Sequence, residues 1–202
     1  MDAQILQKVR RALEDFIQKE ALGGEQSIEI SFMAPNMDFV ADLGARPMIN
    51  CYLIGVNEDR NRRKSEPYHT AINDKKTTIT LQREPKFVDI SYMLTVWYKN
   101  KKSSAEIEHL IMGYLISGLG KYDFLPDSYI KNYQINPGLY GIKFTLFGSE
   151  NGEKISGQVW QAMGSTPKPS LMMSLSVPID VHPETTLPII QAIDRALSKK
   201  ST

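Results

Sequence analysis

The sequence contains few of the residue types that catalytic and metal-binding sites most often use. Its 202 residues include one cysteine, Cys51, and three histidines. A single cysteine excludes an internal disulfide framework and a cysteine-based zinc site. There is no glycine-rich phosphate loop, no Gly-x-Ser-x-Gly nucleophile elbow and no His-Glu-x-x-His helix. We therefore expect no catalytic residue, no cofactor and no metal, and the sequence supports an enzyme poorly.

The histidines and the cysteine have ordinary structural interpretations. His109 lies in "EIEHL", a helical context that favours a surface histidine, and His182 precedes Pro183 in a predicted turn. Cys51 lies in the most apolar predicted strand, where a thiol usually behaves as a small buried hydrophobe. A small enzyme built on Cys51 and a histidine remains a distant hypothesis, third after the two structural roles given at the end of this section.

Neither strong net charge nor a long apolar run is present. Lys and Arg total 24 against 23 Asp and Glu, a net charge of +1, so no global field attracts polyanions. No apolar run approaches the ~20 residues that span a bilayer, and the charged N-terminus lacks a signal-peptide core. We expect a soluble protein synthesised in a cytoplasm, with no direct membrane insertion.

Periodicity predicts an α+β fold in a single domain, with a mixed, largely antiparallel sheet flanked by helices. Helices are predicted over 2–20, 103–120, 153–163 and 184–198, and strands over 27–34, 47–59, 86–100, 142–148 and 170–179. Loops are predicted over 35–46 and 58–85. In helix 103–120 the predicted buried stripe is Ile107, Leu110, Ile111, Tyr114 and Leu115, and in helix 153–163 Trp160 points inward.

The stretch "VWQAMGSTPKPSLMMSLSVPID" (159–180) concentrates stiff residues at one corner. Gly164 is the natural residue after a helix end, where positive φ is common. Pro167 and Pro169 cannot continue a helix and favour an extended entry into the next strand. Pro178 cannot donate to a ladder and belongs at a strand end or a sheet edge. The corner is predicted to be a rigid helix-to-strand joint.

The region 58–86 carries eight basic residues against five acidic ones, including Arg60, Arg62, Arg63 and Lys64. Two interpretations stay open: a solvated loop, or an arm that docks on an acidic partner. Nucleic acid is the weakest option, because Tyr68 is the one aromatic residue there and no binding module is recognisable. The four basic residues are the candidate partner interface.

The order of four segments resembles the cap, or tail-terminator, proteins of contractile injection systems. The segments are "RPMINCYLIGVNEDRNRRKSEP", "REPKFVDISYMLTVWY", "EHLIMGYLISGL" and the proline corner. The resemblance implies a terminator domain over 1–182, followed by a C-terminal helix and tail over 183–202. It implies a homo-hexameric ring that closes the inner tube and sheath at the end opposite the baseplate, in a particle that is released extracellularly. The alternative is another tail or baseplate connector.

Overall fold

The computed structural model of the chain describes residues 3–62, 69–72, 78–82, 85–99, 103–138, 140–147, 152–164, 167–179 and 185–188. The helices are α1 (Ile5–Phe16), α2 (Met37–Ala41), α3 (Ser104–Leu119), α4 (Asp127–Asn132) and α5 (Gly152–Met163). The strands are β1 (Glu29–Ser31), β2 (Met48–Glu58), β3 (His69–Ile72), β4 (Thr78–Gln82), β5 (Lys86–Trp97), β6 (Lys143–Leu146), β7 (Ser170–Ile179) and β8 (Thr185–Pro188). A π-helical turn, Ile17–Ala21, continues α1.

A five-stranded sheet in the order β1-β2-β5-β7-β6 forms the centre of the fold. Only β1 pairs in parallel with its neighbour; the other ladders of this sheet are antiparallel. β5 is the middle strand, as its alternation of β-branched and aromatic residues favours. The predicted fold class, a mixed and largely antiparallel sheet with helices in one domain, is therefore confirmed. β7 has the predicted bounds, 170–179.

The two faces of this sheet pack against different layers. Ile49, Cys51, Ile90, Tyr92 and Leu94 face the main core together with residues of α1, α3 and α4. Alternate positions of the same strands face a smaller cluster on the other side, since successive side chains of a strand point to opposite faces. That cluster contains Phe39, Met93, Trp97 and Trp160.

Three sequence predictions are wrong in part. The predicted loop 35–46 contains α2, whose N-cap Asn36 accepts a hydrogen bond from the Phe39 backbone N–H at 2.9 Å. The predicted loop 58–85 contains β3 and β4, which form a second sheet with β8 in the order β3-β4-β8. Residues 185–188 are therefore a strand, and the predicted helix 184–198 does not begin there. The rest of that helix lies outside the described residues.

The buried face of α3 is rotated from its predicted stripe. Ile111, Leu115 and Leu119 are buried, whereas Leu110 is 50% exposed and Tyr114 is 45% exposed. Gly118 marks the side of α3 that approaches the π-helical turn, because it lies directly against the backbone of Glu20 and Ala21. Ile111 and Gly118 are seven residues apart and therefore share this side of the helix, whereas Leu110 is rotated from Ile111 by about 100°.

The first half of β2 is more deeply buried than its second half. Ile49 and Cys51 are fully buried, but Leu53 and Val56 further along the strand are exposed. No helix in the described part of the chain is long and apolar enough to cross a membrane.

Candidate partner interface and its support

The candidate basic segment begins directly where β2 ends. Arg60–Arg62 form a single 3-10 turn, and the Asp59 carboxylate caps it by accepting the Asn61 backbone N–H at 3.1 Å. Arg60 is exposed on this turn. Arg63 and Lys64 lie outside the described residues. The first part of the predicted interface is thus at the surface, at the edge of the central sheet.

Arg62 is held within the chain by four contacts. Its guanidinium donates to the Ser176 backbone carbonyl at 3.0 Å, to the Ser176 hydroxyl at 3.3 Å and to the Tyr140 carbonyl at 2.9 Å. It also lies over the Phe87 ring, 4.3 Å from the centroid. The Ser176 hydroxyl in turn donates to the Asp59 carboxylate at 2.6 Å. Partial burial lowers the pKa of Arg62, and nearby Asp59 opposes that shift.

These contacts place Arg62 at the point where β7 runs past the end of β6. The β6–β7 ladder ends at the pair Lys143–Ser176, so beyond it β7 pairs only with β5 in the described part of the chain. The Arg62 guanidinium donates to the backbone carbonyl of Ser176, the β7 residue of this last pair. Pro178, two residues further, lies one residue before the end of β7, where its missing N–H costs no ladder bond. The prediction that Pro178 belongs at a strand end is confirmed.

We expect Arg62→Ser to destabilise the fold by about 1–3 kcal/mol, because it removes the guanidinium that donates to the Ser176 and Tyr140 carbonyls and lies beside Asp59. The matched change Arg60→Ser, two residues away on the same turn, should stay within about 0.5 kcal/mol of the wild type. Urea unfolding of both variants measures the difference. Equal midpoints for the two would show that the Arg62 contacts contribute nothing to stability.

A polar recess of about 430 Å³ lies beside the segment. Asp89 and Lys143 line it together with residues 57–62. Burial raises the pKa of Asp89, while hydrogen bonds from Ser174 and Ser91 oppose the shift. No group of three or more His, Cys, Asp or Glu side chains in the described residues could hold a metal ion.

The thiol and the histidines do not form a site in the described part of the chain. Cys51 is fully buried in the main core, and burial raises the pKa of its thiol far above the ordinary value. His109 is exposed on α3. His69 belongs to β3, and His182 lies outside the described residues. Thiolate chemistry needs a lowered thiol pKa, so the position of Cys51 does not favour the Cys–His hypothesis.

The proline corner is fastened to the sheet by Lys168. Its ammonium forms an ion pair with Glu108 at 2.5 Å and lies 4.9 Å from the centroid of the Trp97 ring. The Glu108 carboxylate also accepts the Tyr98 backbone N–H at 3.0 Å, which ties the first turns of α3 to the end of β5. Gly164 has φ +64°, the conformation predicted for a residue that ends a helix. The corner joins a helix end to a strand, as predicted, and its rigidity stays a prediction.

Trp160 anchors α5 on the smaller core, as predicted. It is 5% exposed, and its ring centroid lies 6.1 Å from that of Trp97. Trp97 also meets Phe39 of α2 edge to face at 5.4 Å, and its indole N–H donates to the Thr95 hydroxyl at 2.8 Å. Three aromatic side chains from α2, α5 and β5 thus hold two helices on this face of the sheet.

The sequence reasoning missed one surface, the sheet β3-β4-β8. Its signal was present in "TTITLQ", where threonine alternates with isoleucine and leucine. The many charged residues around that stretch concealed the alternation.

Comparison with known proteins identifies the family. The family described as the Pvc16 N-terminal domain matches residues 8–191, nearly the whole chain. The chain belongs to this family. No curated protein matches the sequence.

Two solved structures share the fold. The first is described as the sheath/tube terminator of an extracellular contractile injection system, PVC, in the extended state, with a TM-score of 0.69 and 17% identity. The second is described as the tube-terminating cap of the anti-feeding prophage, with a TM-score of 0.65 and 18% identity. The alignments cover 100% and 94% of this chain but only 66% and 60% of those chains. At these identities the likeness shows the fold.

Proposed function

We propose that the protein is a structural cap that terminates the inner tube and sheath of a contractile injection system, at the end opposite the baseplate. Membership of the Pvc16 N-terminal domain family over residues 8–191 carries this proposal. The fold shared with two terminators supports it. The role requires no catalysis, in agreement with the burial of Cys51. The chain assembles in the bacterial cytoplasm and then remains part of the particle.

We further propose that six copies form the cap ring. A ring with closed cyclic symmetry satisfies a head-to-tail interface without leaving a free end. A cryo-electron microscopy reconstruction of the intact particle should show six copies at the end distant from the baseplate. A three-fold or twelve-fold layer there would contradict the ring, and absence of this chain from that end would contradict the cap. Its presence at the baseplate would favour the alternative, a connector.

The basic segment that begins at Arg60 is our proposed contact with the tube or sheath. Arg60 is exposed, and the Arg62 contacts fix where the segment leaves the sheet. The roles of Arg60, Arg63 and Lys64 are therefore separable from that of Arg62, which supports both the fold and the position of the interface.

We expect the triple variant Arg60→Ser, Arg63→Ser, Lys64→Ser to fold normally and to yield fewer capped particles or tubes of uncontrolled length. Exposed charges contribute only ~0–1 kcal/mol each to stability, whereas complementary charge fixes docking register. Electron microscopy of particle length and cap occupancy measures the effect. Raised salt should weaken the wild-type contact in the same direction, given a Debye length of ~8 Å at physiological ionic strength. Normal length and occupancy would show that the segment is merely solvated.

A further inference from the structure

The sheet β3-β4-β8 carries an exposed row of aliphatic side chains. Ile72 of β3 pairs with Ile79 of β4, and Ile79 pairs with Leu187 of β8. Directly paired residues point to the same face, so the three side chains form one row across all three strands. Ile72 is 59% exposed and Leu187 is 44% exposed, while Ile79 between them is half-buried. The two outer side chains of an aliphatic row are thus open to solvent.

The other face of the same sheet carries small or polar side chains. Ala71 pairs with Thr80, and Thr80 pairs with Thr186, one residue along from the aliphatic row on each strand. The hydroxyls of Thr80 and Thr186 lie 3.4 Å apart. The sheet is therefore amphipathic, with the aliphatic row on one face and a threonine row on the other.

The three strands carry no formal charge. Their sequences, "HTAI", "TITLQ" and "TTLP", contain no Asp, Glu, Lys or Arg, although such residues make up 23% of the chain. Strands that expose aliphatic side chains and contain no charged residue match the composition of the centre of a protein interface, where charged residues are depleted. The partner surface that fits it is apolar and uncharged, which distinguishes it from the acidic surface that the basic segment requires.

The size of the face decides the kind of partner. Strands of four or five residues, at about 3.3 Å per residue and about 4.8 Å between strands, give a face of roughly 200 Å². A stable pair of proteins buries about 800 Å² on each partner, so this face alone cannot hold two copies of the chain together in solution. Weak contacts of this size become effective when many are engaged at once.

We propose that the row Ile72–Ile79–Leu187 docks on the end of the particle's tube, a different protein presented in several copies. The two structural neighbours have in common that each is described as a terminator of a tube, and only one is also described as a terminator of a sheath. The proposal rests on the proposed function and adds to it the surface that contacts the tube.

The test uses the full chain and tubes assembled from the particle's tube protein alone, without sheath. In co-sedimentation, Ile72→Thr combined with Leu187→Thr should bind at least about tenfold more weakly than the wild type, because burial of each side chain is lost. Threonine retains strand propensity, and circular dichroism checks that the variant is folded. Ala71→Thr, one residue away on the opposite face, is the matched control and should bind as the wild type does.

Thiol labelling gives a second readout that does not depend on a weakened variant. Cys51 is fully buried and stays unlabelled, so a thiol introduced by Leu187→Cys reports alone. It should react with a maleimide in the free protein and be protected on tubes, whereas Thr186→Cys should react in both states. Wild-type affinity of the double variant, or an unprotected L187C thiol on tubes, overturns the proposal.

Two outcomes separate this proposal from the proposed function. Wild-type chain missing from particle ends contradicts the cap itself. Normal capping by the double variant contradicts only the aliphatic row. A stable dimer of the free protein that Ile72→Thr dissolves would assign the row to a second copy and also overturn the tube as its partner.

Discussion

Gly118→Ala is expected to destabilise the protein severely, by about 3 kcal/mol or more. A Cβ at this position would lie 2.5 Å from the Ala21 Cα and closer still to the Glu20 carbonyl oxygen. Both atoms belong to backbone, which cannot rotate away as a flexible side chain can. Overpacking typically costs about 1–3 kcal/mol where side chains can adjust, and more where they cannot. Thermal unfolding followed by circular dichroism measures the loss.

The same helix supplies the control. Gly113 has no atom within 4 Å of the position that a Cβ would take. Gly113→Ala should therefore raise stability by up to about 1 kcal/mol, because alanine has the higher helix propensity. Opposite signs for two identical substitutions five residues apart would locate the effect in the contact between α3 and the π-helical turn. Equal, small effects would mean that α3 and the turn are not in contact.

The π-helical turn shows why part of the fold could not be predicted. Periodicity located α1 and α3, but a hydrophobic pattern does not reveal which glycine permits a close approach between them. Glu20 of the turn accepts hydrogen bonds from the Tyr122 and Tyr129 hydroxyls, residues more than 100 positions away in the chain. These bonds lower the pKa of Glu20. Such contacts depend on tertiary placement, and so does the choice of the face that α3 buries.

The position of the candidate interface could be predicted from the sequence, but the contacts of its residues could not. Charge patterning alone located the basic segment, and the family resemblance gave it a partner. Neither could predict that Arg62 hydrogen-bonds within the chain, because its acceptors are the backbone carbonyls of Ser176 and Tyr140, which are distant in sequence. The sheet β3-β4-β8 was hidden for a similar reason. Its third strand comes from residues 185–188, which helical periodicity further along the chain had assigned to a helix.

Trp160→Ala is expected to cost about 3–5 kcal/mol, the typical effect of truncating a buried tryptophan. Trp160 is 5% exposed and contacts the aromatic cluster that joins α5 to the sheet. For a protein of this size each kcal/mol lowers the melting temperature by about 2–4 °C, so a decrease of roughly 6–20 °C is expected. Differential scanning calorimetry measures it.

Trp160→Phe separates the loss of packing from the loss of the indole. Phenylalanine keeps an aromatic ring against Trp97 and should retain most of the stability, because edge-to-face and tilted ring pairs depend on the ring and its buried area. The neighbouring variant Gln161→Ala, at an exposed position of the same helix, should leave the melting temperature nearly unchanged. If Trp160→Ala unfolded at the wild-type temperature yet reduced cap occupancy in particles, Trp160 would instead belong to a partner interface, and the corner at Gly164 would serve to present it.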